Sequence, residues 1–88
     1  MVLVTFTAHA KDQMKYRDIS EREVKEVLSK PSETIVTRGK RLPSFVQIRD
    51  IYVVVIYEKT SNGYEEELVI TAMKVDRRRL LRFGFSNL

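Results

Sequence analysis

The sequence predicts an α+β fold in which two N-terminal helices pack on one face of a twisted, mainly antiparallel sheet. Three observations support this: an opening strand, two successive helical segments, and a second half that reads as β-structure. The expected order is β-α-α-β-β-β(-β), followed by a short basic helix or tail over residues 76–88. A chain of 88 residues has room for one domain, residues 1–88.

The N-terminal segment predicts a strand and then a helix. Hydrophobic residues alternate with threonines over residues 2–7, which is typical of a half-buried strand. Thr7 has a side chain suited to a helix N-cap, and residues 8–17 contain no helix breaker. At about 100° per residue, His9, Gln13 and Arg17 form one stripe of this helix, beside its apolar side.

The second helix has the clearest local signals. Ser20 and Glu23 form the pattern of a capping box. Ile19 and Val24 occupy the positions of a hydrophobic staple around the same helix start. Pro31 ends the segment, so a helix is expected over about residues 20–30.

The second half of the chain predicts strands over residues 34–38, 44–49, 51–57 and 65–75. Asn62-Gly63 is a strong hairpin signal between the last two. Asp76 can cap a final short helix that Gly84 ends. Regular alternation in the last strand predicts Leu68, Ile70, Ala72 and Lys74 on one face, with Val69, Thr71 and Met73 on the other.

Charge is unevenly distributed. The chain has 16 Lys and Arg against 12 Asp and Glu, a net charge of +4. The excess lies in residues 74–88, which contain Arg77, Arg78, Arg79 and Arg82. Arg38, Lys40 and Arg41 form a second cluster. A neutral body with two basic clusters suits a polyanionic partner, and a merely solvated basic surface is the alternative.

The missing residue types exclude several classes of function. There is no cysteine and only one histidine, which argues against thiolate chemistry and a zinc site. The three glycines are far apart, so there is no glycine-rich nucleotide loop. No cofactor or metal is expected. The chain has no apolar run of membrane-spanning length and no signal-peptide pattern, so we expect a cytoplasmic protein with no membrane contact.

The opening residues resemble a family of small uncharacterised prokaryotic domains that is grouped with the RelE-, ParE- and BrnT-like toxins. The resemblance covers about residues 5–73. It rests on a strand, a helix with a histidine and an arginine eight positions later, an Ile-Ser helix start, and a threonine in the last strand. The matching residues are Phe6, Thr7, His9, Ala10, Met14, Arg17, Ile19, Ser20, Val24, Leu28 and Val69-Ile70-Thr71.

The resemblance implies a RelE-like fold and a toxin-type activity. The grouping implies RNA cleavage, DNA binding or inhibition of a target such as gyrase, with an antitoxin protein and RNA, on the ribosome or free, as partners. RelE-like ribonucleases use Arg, Lys and Tyr side chains on central strands and near the C-terminus. By position alone, the corresponding candidates are Arg49, Tyr52, Tyr57, Lys74 and Arg77.

The residues themselves suggest one composite catalytic site. Metal-independent RNA cleavage needs a base, an acid and cations that stabilise the phosphorane. Histidine gains and loses a proton near neutral pH, and arginine can hold a phosphate bidentately. We therefore expect a site of His9, Arg17, Thr71 and Lys74. It requires the first helix beside the last strand, with His9 and Thr71 on the same side of the sheet.

Other interpretations of these residues remain open. His9 and Arg17 can serve only to hold the helix on the sheet, and Thr71 suits any strand. Three functions therefore remain: an endoribonuclease, a non-catalytic module that binds nucleic acid or protein through its basic clusters, and a ParE-like inhibitor of a protein target. The chain is expected to be a monomer or a homodimer.

Overall fold

The computed structural model describes residues 3–35, 39, 41–61 and 65–86. It confirms the α+β class, with two N-terminal helices, one five-stranded sheet and a short C-terminal helix in the described part of the chain. The elements in chain order are β1 (Leu3–Phe6), α1 (Ala8–Tyr16), α2 (Glu21–Ser29), β2 (Glu33–Thr34), β3 (Arg41–Ile48), β4 (Ile51–Ser61), β5 (Glu65–Val75) and α3 (Arg77–Arg82).

The predicted caps begin all three helices. The Thr7 hydroxyl accepts a hydrogen bond from the Ala10 N–H at the start of α1. Ser20 and Glu23 form a complete capping box at the start of α2. The Asp76 carboxylate accepts from the Arg79 N–H at the start of α3. The first N–H groups of a helix have no acceptor within the helix. These side chains supply the missing acceptor and so define where each helix begins.

The sheet has the strand order β1-β5-β4-β3-β2. All neighbouring strands are antiparallel except β1, which lies parallel to β5 at the edge, so the sheet is mixed. A two-residue turn at residues 49–50 joins β3 to β4, with Ile48 opposite Ile51. Asn62 and Gly63 lie outside the described residues, but Ser61 is opposite Glu65, so β4 and β5 form the predicted hairpin with residues 62–64 between the paired positions.

A β-bulge in β5 changes the predicted faces of that strand. Ile56 is opposite Thr71 whereas Tyr57 is opposite Val69, so Ile70 is inserted without a partner on β4. The alternation therefore slips, and Val69 packs in the same cluster as Ala72. The prediction that Val69 shares a face with Thr71 and Met73 was wrong, because an inserted residue reverses the side-chain alternation of a strand.

The sheet has a core on each face. On one face, α1 and α2 bury Ala10, Met14, Val24 and Val27 against the central strands. On the other face, α3 and the residues after it form a smaller cluster of buried side chains, namely Phe45, Val54, Val75, Leu80 and Phe85. Residues 77–85 are thus a packed part of the fold, and α3 covers part of the sheet face opposite α1 and α2.

The start of the β-rich half differs from the prediction. A strand was expected over residues 34–38, whereas β2 is limited to Glu33–Thr34 among the described residues, and residues 36–38 lie outside them. The Thr34 and Ser44 hydroxyls share a hydrogen bond of 2.6 Å across the β2–β3 pair.

Within the described ranges, no helix has the length and hydropathy that a membrane span needs.

Candidate nucleic-acid interface

His9 lies in the first turn of α1 and is exposed to solvent. Its imidazole makes no hydrogen bond or ion pair with any residue in the described part of the chain. His9 therefore does not hold α1 on the sheet, and the structural role considered for it is not observed. Its ring remains available to a ligand.

Arg17 and Lys74 come together where α1 ends above β5. The Arg17 Nη1 donates a hydrogen bond of 2.8 Å to the Ala72 carbonyl oxygen. The Lys74 Nζ donates one of 2.8 Å to the Asp18 carbonyl oxygen. Both side chains therefore connect the end of α1 to β5, and each still has N–H donors for an anion, since a guanidinium has five and an ammonium three.

Arg17 contacts a backbone carbonyl because part of the sheet edge at β5 has no neighbouring strand in the described part of the chain. β1 pairs with β5 from Glu66 to Val69 only, so Ala72 lies beyond the paired part of this edge. An edge strand presents carbonyl groups that need a donor. Arg17 supplies one, and the Thr7 hydroxyl donates to the Ile70 carbonyl oxygen in the same way at 3.3 Å.

Thr71 lies on the other face of the sheet. It alternates with Ala72, which packs under α1, and shares its row with Met73 and Val75, which pack toward α3. The condition for the composite site is therefore not met, because α1 carries His9 and Arg17 over the opposite face. Lys74, by contrast, lies on the α1 face, in the same row as Ala72.

His9 and Arg17 are also separated along the helix. Eight residues at about 1.5 Å each place them roughly 12 Å apart along the axis of α1. The Arg17 guanidinium is also directed to the Ala72 carbonyl oxygen of β5, at the far end of the helix from His9. The structure therefore brings together Arg17 and Lys74, but not all four predicted residues.

A different cluster forms at one end of the sheet. The β3–β4 turn lies at the same end as the last residues of β5, because Tyr52 is opposite Val75. The last turn of α1 reaches this end through the Lys74–Asp18 contact, and α3 starts there. We call residues 15–18, 49–52 and 74–82 the basic end. Its charged residues are eight cations, Lys15, Arg17, Arg49, Lys74, Arg77, Arg78, Arg79 and Arg82, and three acids, Asp18, Asp50 and Asp76.

The arginines of α3 form an accessible part of the basic end. All four are exposed, and none forms an ion pair with any residue that the structure describes. Leu80 is fully buried, and Arg78 and Arg82 lie on the side of the helix opposite to it. These two arginines therefore share one outward surface, one helical turn apart.

The second predicted basic cluster is only partly described. Arg38 and Lys40 lie outside the described residues. Arg41 is at the opposite end of β3 from the turn, where its Nε lies 3.7 Å from the Glu58 carboxylate. Glu66 and Glu67 are at the same end of the sheet. The charge of the described chain is thus polarised along the strands.

The two tyrosines that the resemblance indicated, Tyr52 and Tyr57, lie in different environments. Tyr52 is half-buried at the basic end, with its ring 5.9 Å from that of Phe45 in an edge-to-face arrangement. Tyr57 is buried under the N-terminal helices, away from any surface.

Within the described ranges, no three His, Cys, Asp or Glu side chains are grouped so that they could hold a metal ion.

Tyr16 is the surface residue that sequence reasoning missed. It is the last residue of α1 and is 89% exposed. At about 100° per residue it lies close in angle to His9 and far from Ala10, and this position was the available signal in the sequence. An aromatic side chain at that angle is expected to project into solvent.

Comparison with known proteins identifies a family but no close relative. The model of a family described as Domain of unknown function (DUF4258) matches residues 6–74. No curated protein and no solved structure shows significant similarity to the chain. The matched region runs from the end of β1 to Lys74 and stops before α3.

Proposed function

The chain belongs to the family described as Domain of unknown function (DUF4258), and we propose that it binds RNA through the basic end of its sheet. The observation that carries the proposal is the collection there of eight cationic side chains against three carboxylates. Nucleic-acid backbones present closely spaced negative charges, and Lys and Arg contacts to them supply most non-specific affinity. The basic end collects cations from four segments, namely α1, the β3–β4 turn, β5 and α3, which suits such a ligand.

The exposed arginines of α3 supply the strongest phosphate contacts in this proposal. Guanidinium groups bind phosphate bidentately, which adds directional preference to charge. Arg78 and Arg82 project from one side of a helix whose other side is anchored by buried Leu80. Two adjacent phosphates can therefore be held by a helix that is already fixed to the sheet.

Cleavage of the bound RNA is a second proposed function, as a RelE-like, toxin-type endoribonuclease that needs no metal. One observation favours it: four of the five candidates from the resemblance, Arg49, Tyr52, Lys74 and Arg77, lie at the basic end. A phenol and an ammonium can each exchange a proton, and arginines stabilise a phosphorane. An antitoxin protein covering the basic end belongs to the same proposal.

Binding is tested by the salt dependence of RNA affinity. For single strands, log K falls by about 0.7 per unit of log salt concentration for each phosphate contact. Replacing Arg78 and Arg82 by Gln should weaken binding and reduce this slope by about 1.4. The matched control replaces two exposed cations outside the basic end, Lys30→Gln and Lys59→Gln, and removes the same charge. Equal losses of affinity in the two double variants would contradict a localised interface.

Cleavage is tested by mapping the ends of a mixed RNA pool, with and without translating ribosomes. Tyr52→Phe removes the hydroxyl at the basic end and keeps the ring that packs on Phe45. Tyr57→Phe removes the hydroxyl of a buried tyrosine outside the basic end and is the matched control. Cuts that disappear in the first variant alone support a nuclease at this end. RNA that stays intact with the wild-type chain under both conditions rejects the nuclease and leaves the binding function.

A further inference from the structure

The side chain of Tyr16 is an exposed aromatic ring between two cationic residues of the chain, Lys15 and Arg17. At 89% exposure it is well above the other exposed large hydrophobic side chains among the described residues, Leu3 at 56%, Leu81 at 51% and Ile51 at 40%. Tyrosine normally packs its ring and leaves only the hydroxyl in water. The ring of Tyr16 contributes nothing to either core, so the fold does not account for it.

The backbone that carries this ring is held firmly. The Arg17 N–H donates to the Gln13 carbonyl oxygen at 2.9 Å, and the Ile19 N–H donates to the Met14 carbonyl oxygen at 2.8 Å. The side chains of Arg17 and Lys74 tie the same segment to β5. A tyrosine has few rotatable bonds, so a ring on such a support loses little entropy when a ligand stacks on it.

Cationic residues lie next to Tyr16 in the chain and at the end of β5. Lys15 and Arg17 flank Tyr16 in the chain, and the Lys74 ammonium reaches the carbonyl of Asp18 two residues later. Proteins that bind single-stranded nucleic acid combine these two features, a positive surface for the backbone and aromatic side chains on which bases stack. A duplex offers its phosphates to such a surface but keeps its bases stacked inside the helix.

We infer that Tyr16 is a stacking platform for an unpaired base and that the chain prefers single-stranded RNA over duplex RNA. The base lies on the Tyr16 ring while the adjoining phosphates contact Lys15, Arg17 and Lys74. His9 is exposed and lies two helical turns earlier at almost the same angle, so it extends the path of the bound RNA along α1. This inference rests on the proposed RNA binding and specifies which form of RNA the basic end accepts.

A tryptophan reporter tests the stacking directly, because the chain contains no tryptophan. Tyr16→Trp should fold normally, and its fluorescence should be quenched when an unstructured RNA oligonucleotide binds. Leu3→Trp, at an exposed position on β1, is the matched control and should stay unquenched. A duplex of the same strand length should bind more weakly and quench less. Equal quenching at both positions would contradict stacking at Tyr16.

Affinity variants separate this inference from the proposed function. Tyr16→Ala should weaken single-strand binding about five-fold or more, as expected for loss of one base stack, whereas Tyr16→Phe should keep it. Thermal unfolding should be the same for all three chains. Duplex binding equal to single-strand binding, or no loss in Tyr16→Ala, overturns the inference and leaves RNA binding intact. Absence of RNA binding at low salt overturns both the proposed RNA binding and the stacking role of Tyr16. The exposed ring would then be a candidate contact for a protein partner.

Discussion

Replacement of Leu80 by Ala tests whether α3 is an integral part of the fold. Leu80 is fully buried, in a cluster with Phe45, Val54, Val75 and Phe85. We expect Leu80→Ala to lower the free energy of unfolding by about 2–5 kcal/mol, since it removes buried methyl groups and leaves a cavity. A domain of this length has a total stability of only about 4–13 kcal/mol, so the loss is a large fraction of it.

The neighbouring residue offers a matched control. Leu81 is chemically identical and 51% exposed, so Leu81→Ala should change stability by no more than about 0.5 kcal/mol. Urea unfolding followed by circular dichroism measures both. In thermal unfolding, a loss of 2 kcal/mol corresponds to a fall in Tm of roughly 8 °C or more.

The contrast between the two leucines has a functional consequence. The family match ends at Lys74, so the region it covers lacks α3. If α3 were a loosely attached basic tail, both substitutions would have effects near zero. That result would refute the packing described for the second face of the sheet, and with it the fixed position of Arg78 and Arg82.

Two further substitutions test local features. Ser20→Ala removes the side chain that begins α2 and should cost about 0.5–2 kcal/mol in urea unfolding, whereas Ser29→Ala at the other end of the helix, where the hydroxyl bonds only the Glu26 carbonyl, should cost clearly less. An equal cost would contradict the capping box. Gly84 has φ of +96° and space for a methyl group, 3.8 Å from Ile35 Cδ1. Gly84→Ala should therefore cost about 1–2 kcal/mol through backbone strain alone, and an unchanged Tm would show that the chain relaxes there.

The helices and most strands were predictable because their signals are local. The capping box at Ser20 and the N-cap at Thr7 act within four residues of the helix start. The alternation of side chains is equally local, which is why β3, β4 and β5 lie near their predicted positions. The even spacing failed in β5, where the bulge at Ile70 turned Val69 to the other face.

The candidate site was less predictable because it depends on long-range pairing. Sequence patterns indicated that Arg17 lies beside the apolar side of α1 and that Lys74 shares a face of β5 with Ala72. Neither pattern shows that Arg17 contacts a carbonyl, since this depends on where β1 stops along β5. Thr71 lies on the opposite face because it alternates with Ala72 and Lys74 along β5, as the sequence pattern already indicated, so the four predicted residues cannot form one site.

The sequence by itself determined the α+β class, the starts of the helices and an excess of positive charge near the C-terminus. These properties follow from composition, periodicity and contacts between residues close in the chain. Only the tertiary structure decided that α1, the β3–β4 turn, β5 and α3 bring their cations to one end of the sheet. That arrangement depends on strand order and register, which arise from contacts between residues far apart in the chain and leave no local pattern.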